Sequence, residues 1–190
     1  FSVQYPERLQ SLILESATAG IEDPAERKSR QKSDDQTAKF IERHTMEDFV
    51  ERWLDHPIFD TLTTLPREKQ KYAKEKRLDN SPVGLANCLR GFGTGRMAHL
   101  WDELNRLDLP VLLLSGEKDD KFTAIADRMS QRLPNSIHKI VADAGHNIHF
   151  GRPGIFAEIT LQFLREMKTT EQINRKYPKG IPPGDANKHK

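Results

Sequence analysis

Two short segments hold the residue types most able to do chemistry together, Gly116-Glu117-Lys118-Asp119 and Gly145-His146-Asn147. Each follows an apolar run that reads as a strand, and in a parallel sheet ligands sit beyond the carboxyl ends of the strands. An aspartate and a histidine at neighbouring strand ends can pair. The carboxylate then fixes the imidazole tautomer and stabilises its protonated form, which suits the histidine to act as general base toward a hydroxyl nucleophile. Taken singly, Asp119 reads equally well as the N-cap of a helix starting near Phe122, a task open to Asp120 as well, and His146 as an ordinary loop histidine. Together, each behind a glycine at a strand end, they read as an acid–base pair.

The other candidates carry less. Gly91-Phe-Gly-Thr-Gly95 lacks the lysine and the strand-to-helix setting of a phosphate loop and reads as a turn. His146 and His149 have the spacing of a metal pair, but no acidic or cysteine ligand stands beside them, so no metal is expected. The basic run from Arg27 to Lys32 reads as a solvated helix face, although single arginines facing a cleft would suit an anionic substrate. Residue type alone puts Trp53 in a helical core, with a pocket wall as the alternative. The single cysteine, Cys88, can form neither an internal disulfide nor a zinc cage and fits a reducing cytoplasm.

The elements that must position the pair are α/β in pattern. Leu9 to Glu15 reads as a strand buried on both faces, Pro110 to Gly116 as the clearest buried strand, and Ile137 to Ala142 as a weaker third. Amphipathic helices follow the last two, through Phe122, Ile125, Ala126, Met129 and Leu133, and through Ile155, Phe156, Ile159, Phe163 and Leu164. Strand then helix, twice over, predicts a parallel sheet. Residues 21–99 contain no convincing strand but three helix starts, at Asp23-Pro24, Thr45 to Asp48 and Ser81-Pro82, and read as a helical lid inserted into a core formed by 1–20 and 100–168. Residues 169–190, rich in Lys, Pro and Gly, read as a disordered tail.

Composition narrows the function classes. The 190 residues balance 30 basic against 28 acidic side chains, without the concentrated basic surface that a nucleic-acid partner needs. Mean hydropathy is −0.71, and no apolar run nears the ~20 residues of a membrane span. Phe1-Ser2-Val3 opens without the pattern of a secretory signal.

Several phrases carry a family resemblance. YPERLQSLILESATAGI resembles the strand after the nucleophile elbow of an α/β-hydrolase, GEKDDKF the acid loop of that fold, and AGHNIHFGRP its histidine loop. Within that superfamily, ESATAGI, FVERWLDHPIF, RLDNSPVGLANCLRGFGTG and GEKDDKF followed by GHNIH are similar to the 2-succinyl-6-hydroxy-2,4-cyclohexadiene-1-carboxylate synthases of menaquinone biosynthesis. The resemblance implies an α/β-hydrolase fold with a helical lid, and a carbon–oxygen lyase that eliminates pyruvate from an anionic small molecule without metal or cofactor. It makes Asp119 the triad acid and His146 the base. It gives Arg77 and Arg30 to substrate carboxylates and Trp53 to the pocket wall. The same triad would serve an ester or thioester hydrolase, and a fold without its serine would serve as a non-catalytic module.

No G-x-S-x-G turn occurs in these residues, and in this fold the serine precedes the acid and the histidine. It is expected about ten residues before Phe1, so the chain reads as the C-terminal part of the fold, inactive alone. Its first strand is then expected to present an open edge that favours self-association.

Overall fold

The computed structural model describes the backbone of residues 1–176 and the side chains through Met167. In chain order it contains β1 (Leu12–Glu15), α1 (Pro24–Arg43), α2 (Met46–Leu54), α3 (Arg67–Leu78), α4 (Pro82–Phe92), β2 (Val111–Gly116), α5 (Asp120–Ser130), β3 (Ser136–Val141), α6 (Ile148–Gly151) and α7 (Pro153–Lys176). The three strands form one parallel sheet in the order β1-β2-β3, with Leu12 opposite Val111 and Val111 opposite Ser136.

Every residue of β2 is buried because both faces of the central strand are covered. Val111 and Leu113 point into a cluster with Trp101, Leu104, Met129 and Leu133. Leu112 and Leu114 point to the opposite side, against Val141, Ile148 and Phe163. Each such side chain contributes on the order of 1.5–3 kcal/mol by leaving water. β1 differs from expectation in being half-buried and in starting at Leu12. Leu9 is held back by a 3-10 turn over Pro6–Arg8, its N–H bonding to the carbonyl of Pro6, and among the described residues β1 pairs only with β2.

Between β1 and β2 the chain is helical. Asp23 caps α1 by accepting the Glu26 N–H at 2.7 Å, and Thr45 and Asp48 form a reciprocal capping box on α2. Ser81 accepts the Gly84 N–H at the start of α4. α3 has no such signal. Pro66 precedes it without a side-chain cap, and Ala73 is its only buried residue. A second 3-10 segment, Pro57–Thr64, links α2 to α3. The helices pack on Ile41, Phe49 and Val50.

The helical insert leaves and rejoins the sheet at one stem. The Ala19 carbonyl accepts the Leu100 N–H at 2.7 Å, and the Gly20 carbonyl accepts the Trp101 indole N–H at 2.8 Å. Gly20 sits at φ +96°, where a Cβ would lie 2.9 Å from His99 Cα, so only glycine lets the two chain passages lie side by side. At the other end, α7 carries the backbone past Met167 to Lys176. That extends the helix beyond the point where the apolar pattern ends, and the rest of the tail expected over 169–190 lies outside the described residues.

Candidate active site

Asp119 stands at the N-cap of α5, immediately beyond β2, and its two oxygens do different work. One accepts the Phe122 N–H at 3.3 Å; the other lies 2.7 Å from Nδ1 of His146. The cap and the partner to histidine, read as alternatives from the sequence, are both present. Asp119 is 8% exposed, and the Phe122 ring meets the imidazole edge-on at 4.5 Å between centroids. With Nδ1 engaged, Nε2 is the ring nitrogen left for proton transfer.

The loops carrying the pair are braced against each other. Glu117 and Lys118 donate backbone N–H groups to the carbonyls of Val141 and Ala144 at 3.0 and 2.9 Å. The Asp143 N–H donates to Glu117 at 2.9 Å, and the Lys118 ammonium lies 3.1 Å from the Asp143 carboxylate. That ammonium, and then Arg152, hold the Asp143 carboxyl below its ordinary pKa. Gly116 has no room for a side chain, because a Cβ would overlap the carbonyl oxygens of Ala144 and Gly145. Just beyond β1, Ser16 donates its hydroxyl to the His146 carbonyl at 2.8 Å, while Glu15, the last residue of β1, accepts the His149 N–H at 3.1 Å and lies 2.8 Å from its Nδ1. His146 and His149 therefore turn to separate carboxylates.

His146 opens into a cavity of about 500 Å³. Lys121 and Phe122 share its sheet side, and Arg30, Arg52, Trp53 and Phe59 come from the helical insert. Of the residues singled out in the sequence, the structure brings Asp119, His146, Arg30 and Trp53 to this place. Arg77 is not among the residues lining it. Its guanidinium donates to the Ala73 carbonyl one turn back at 2.7 Å and lies 5.3 Å from the centroid of the Phe59 ring, which does line the cavity. Burial pushes the Arg77 pKa down.

Three wall residues were not anticipated. Arg52 and Lys121 add cationic charge, and each is a sequence neighbour of a residue already singled out. Asp34 is 4% exposed and accepts from Nε of Arg30 at 2.7 Å; its other oxygen has no hydrogen bond among the described residues. The i, i+4 spacing of Arg30 and Asp34 on α1 was the available signal.

A second serine–histidine–aspartate chain exists elsewhere. Ser115 Oγ lies 2.8 Å from Nε2 of His138, whose Nδ1 lies 2.7 Å from Asp127. Ser115 is fully buried in β2 and also receives the Thr123 hydroxyl at 2.8 Å, so it cannot meet a substrate. These bonds satisfy a buried hydroxyl and tie α5 to two strands.

Comparison with known proteins places this arrangement. The model of the alpha/beta hydrolase fold matches residues 1–153. A 2-succinyl-6-hydroxy-2,4-cyclohexadiene-1-carboxylate synthase of Yersinia pestis bv. Antiqua (strain Nepal516) is 32% identical over 158 residues, 83% of this chain and 55% of its own length. A Bacillus subtilis (strain 168) protein, provisionally given the same synthase name, is 40% identical over 164 residues, 86% of this chain and 60% of its own length. The chain thus spans little more than half of these relatives. MenH from S. aureus superposes with a TM-score of 0.85 at 36% identity, over 88% of this chain and 64% of that one. A family match over residues 1–153, with a strand-end aspartate on histidine beneath a helical insert, has one reading: the chain belongs to the alpha/beta hydrolase fold family.

Proposed function

We propose that these residues form the acid–base and lid portion of a cytoplasmic carbon–oxygen lyase. It eliminates pyruvate from 2-succinyl-5-enolpyruvyl-6-hydroxy-3-cyclohexene-1-carboxylate to give 2-succinyl-6-hydroxy-2,4-cyclohexadiene-1-carboxylate. The nucleophile-type serine lies outside these 190 residues. His146 Nε2 takes the serine proton, and the serine oxygen removes a proton alpha to the succinyl carbonyl. The electron pair left on carbon forms one ring double bond, the existing ring double bond shifts one position toward the leaving group, and the carbon–oxygen bond to the enolpyruvyl group breaks. The proton held by His146 returns to the leaving oxygen, whose enol becomes pyruvate. Asp119 keeps Nδ1 protonated and balances the imidazolium. The chemistry draws on no metal or cofactor.

The observation that carries this reading is the charge of the cavity. The imidazole backed by Asp119 opens toward Arg30, Arg52 and Lys121, three cations against the single wall carboxylate of Asp34, which suits a substrate carrying several carboxylates. Trp53 supplies a flat face for the ring. The test is a head-to-head assay of the complete enzyme, with pyruvate release coupled to lactate dehydrogenase and hydrolysis of nitrophenyl esters followed in parallel. Pyruvate release should dominate, and ester hydrolysis without pyruvate would move the chain to the hydrolases.

Arg30 gives a sharper expectation. Asp34 binds it through Nε and leaves the two terminal nitrogens for a substrate carboxylate. Asp34→Ala should raise KM about tenfold, the value of a charge-assisted hydrogen bond, with kcat nearly unchanged. An unchanged KM would show that Asp34 does not position Arg30 for the substrate.

A further inference from the structure

The helical insert contains a second cavity, of about 430 Å³, between the end of α2, the Pro57–Thr64 segment and α3. Its floor is apolar, formed by Leu54, Phe59, Leu62 and Ala73, and its rim is basic, with Arg67, Lys71 and Lys74. The wall is held in shape, since the Gln70 side-chain amide donates to the carbonyls of Thr63 and Leu65 at 3.0 and 2.7 Å. Lys74 is paired with Glu51 at 3.0 Å and Lys71 only loosely with Glu75 at 3.9 Å, while Arg67 has no acidic partner among the described residues.

This chemistry differs from that of the His146 cavity. A strongly hydrated polyanion gains little from leucine side chains, whereas an apolar body with one negative head gains from floor and rim together. We propose that this cavity binds an amphipathic monoanion, an acyl or aryl carboxylate whose apolar body lies on Leu54, Phe59 and Leu62 and whose carboxylate meets Arg67 and Lys71. The volume falls within the range of small-molecule sites, ~300–1,000 Å³. Phe59 belongs to both cavities, and its ring centroid is 5.9 Å from that of Trp53. An occupant is therefore felt at the wall of the other site, and Trp53 reports it.

The test uses octanoate as probe and does not involve lyase activity, so its failure is separate from failure of the lyase reading. The chain is titrated with octanoate and, as the uncharged counterpart, 1-octanol, with tryptophan fluorescence and calorimetry as readouts. Octanoate should bind saturably and at least tenfold more tightly than octanol. The pair Arg67→Glu and Lys71→Glu should weaken it tenfold or more; both side chains are exposed, so circular dichroism should remain that of the wild type. Arg30→Glu should leave octanoate binding unchanged. Absence of saturable binding, equal binding of octanol, or loss with Arg30→Glu but not with the rim variants would each overturn the proposal.

Discussion

Asp119→Asn in the complete enzyme is expected to lower kcat by about four orders of magnitude while leaving the fold intact. The Asp119 carboxylate oxygen 2.7 Å from Nδ1 of His146 accepts the Nδ1–H hydrogen bond, which leaves Nε2 free to take the serine proton. An asparagine rotated to put its amide nitrogen there donates instead, turning the imidazole into the tautomer with the proton on Nε2. The base is then lost without any loss of bulk. The cap on α5 survives because the remaining oxygen can still accept the Phe122 N–H, and Asn and Asp cap helices about equally well. Urea unfolding should therefore move by no more than about 1 kcal/mol. Turnover within tenfold of wild type would show that His146 does not rely on this carboxylate.

The second large effect is structural and can be read on the chain itself. Gly116→Ala should destabilise it by about 3 kcal/mol, the upper part of the range for overpacking. The added methyl would overlap the carbonyl oxygens of Ala144 and Gly145, which are backbone atoms of the histidine loop and not the ends of flexible side chains. The same loop is clamped by Lys118, Asp143, Glu15 and Ser16, so it cannot move away freely. Displacing His146 by about 1 Å from its partner would also cost about a hundredfold in rate in the complete enzyme. Gly154→Ala is the control. A Cβ there meets nothing within 4 Å and improves helix propensity in α7, so its unfolding midpoint should hold or rise. Equal midpoints for the two variants would mean that the close approach at Gly116 is unimportant.

Much of this architecture was legible because it depends on local chemistry. Asp23, Thr45 and Ser81 stand where helix caps are needed, and β2 opens with an apolar run, Val111 to Leu114, that only a fully covered strand can bury. The approach of Asp119 to His146 followed from two strand ends in one parallel sheet. Features decided by distant contacts were not legible. α3 follows a proline that offers no polar cap and lacks an apolar stripe, so nothing local announced it. The same helix turns Arg77 back onto its own Ala73 carbonyl and the Phe59 ring, which sequence position alone could not foretell. The chain from buried Ser115 through His138 to exposed Asp127 joins residues on three elements. Its chain order matches that of a triad, yet burial denies it a substrate.

His146, backed by Asp119, is proposed as the base of a pyruvate-eliminating lyase. Its most direct test is the initial rate of pyruvate formation from the succinylated enolpyruvyl substrate, for the complete enzyme and its His146→Ala variant. The wild type should give equal amounts of pyruvate and cyclohexadiene product, and the variant a rate at least about a thousandfold lower. No pyruvate from the wild type would exclude the lyase reaction, and a variant within tenfold of the wild type would exclude His146 as its base.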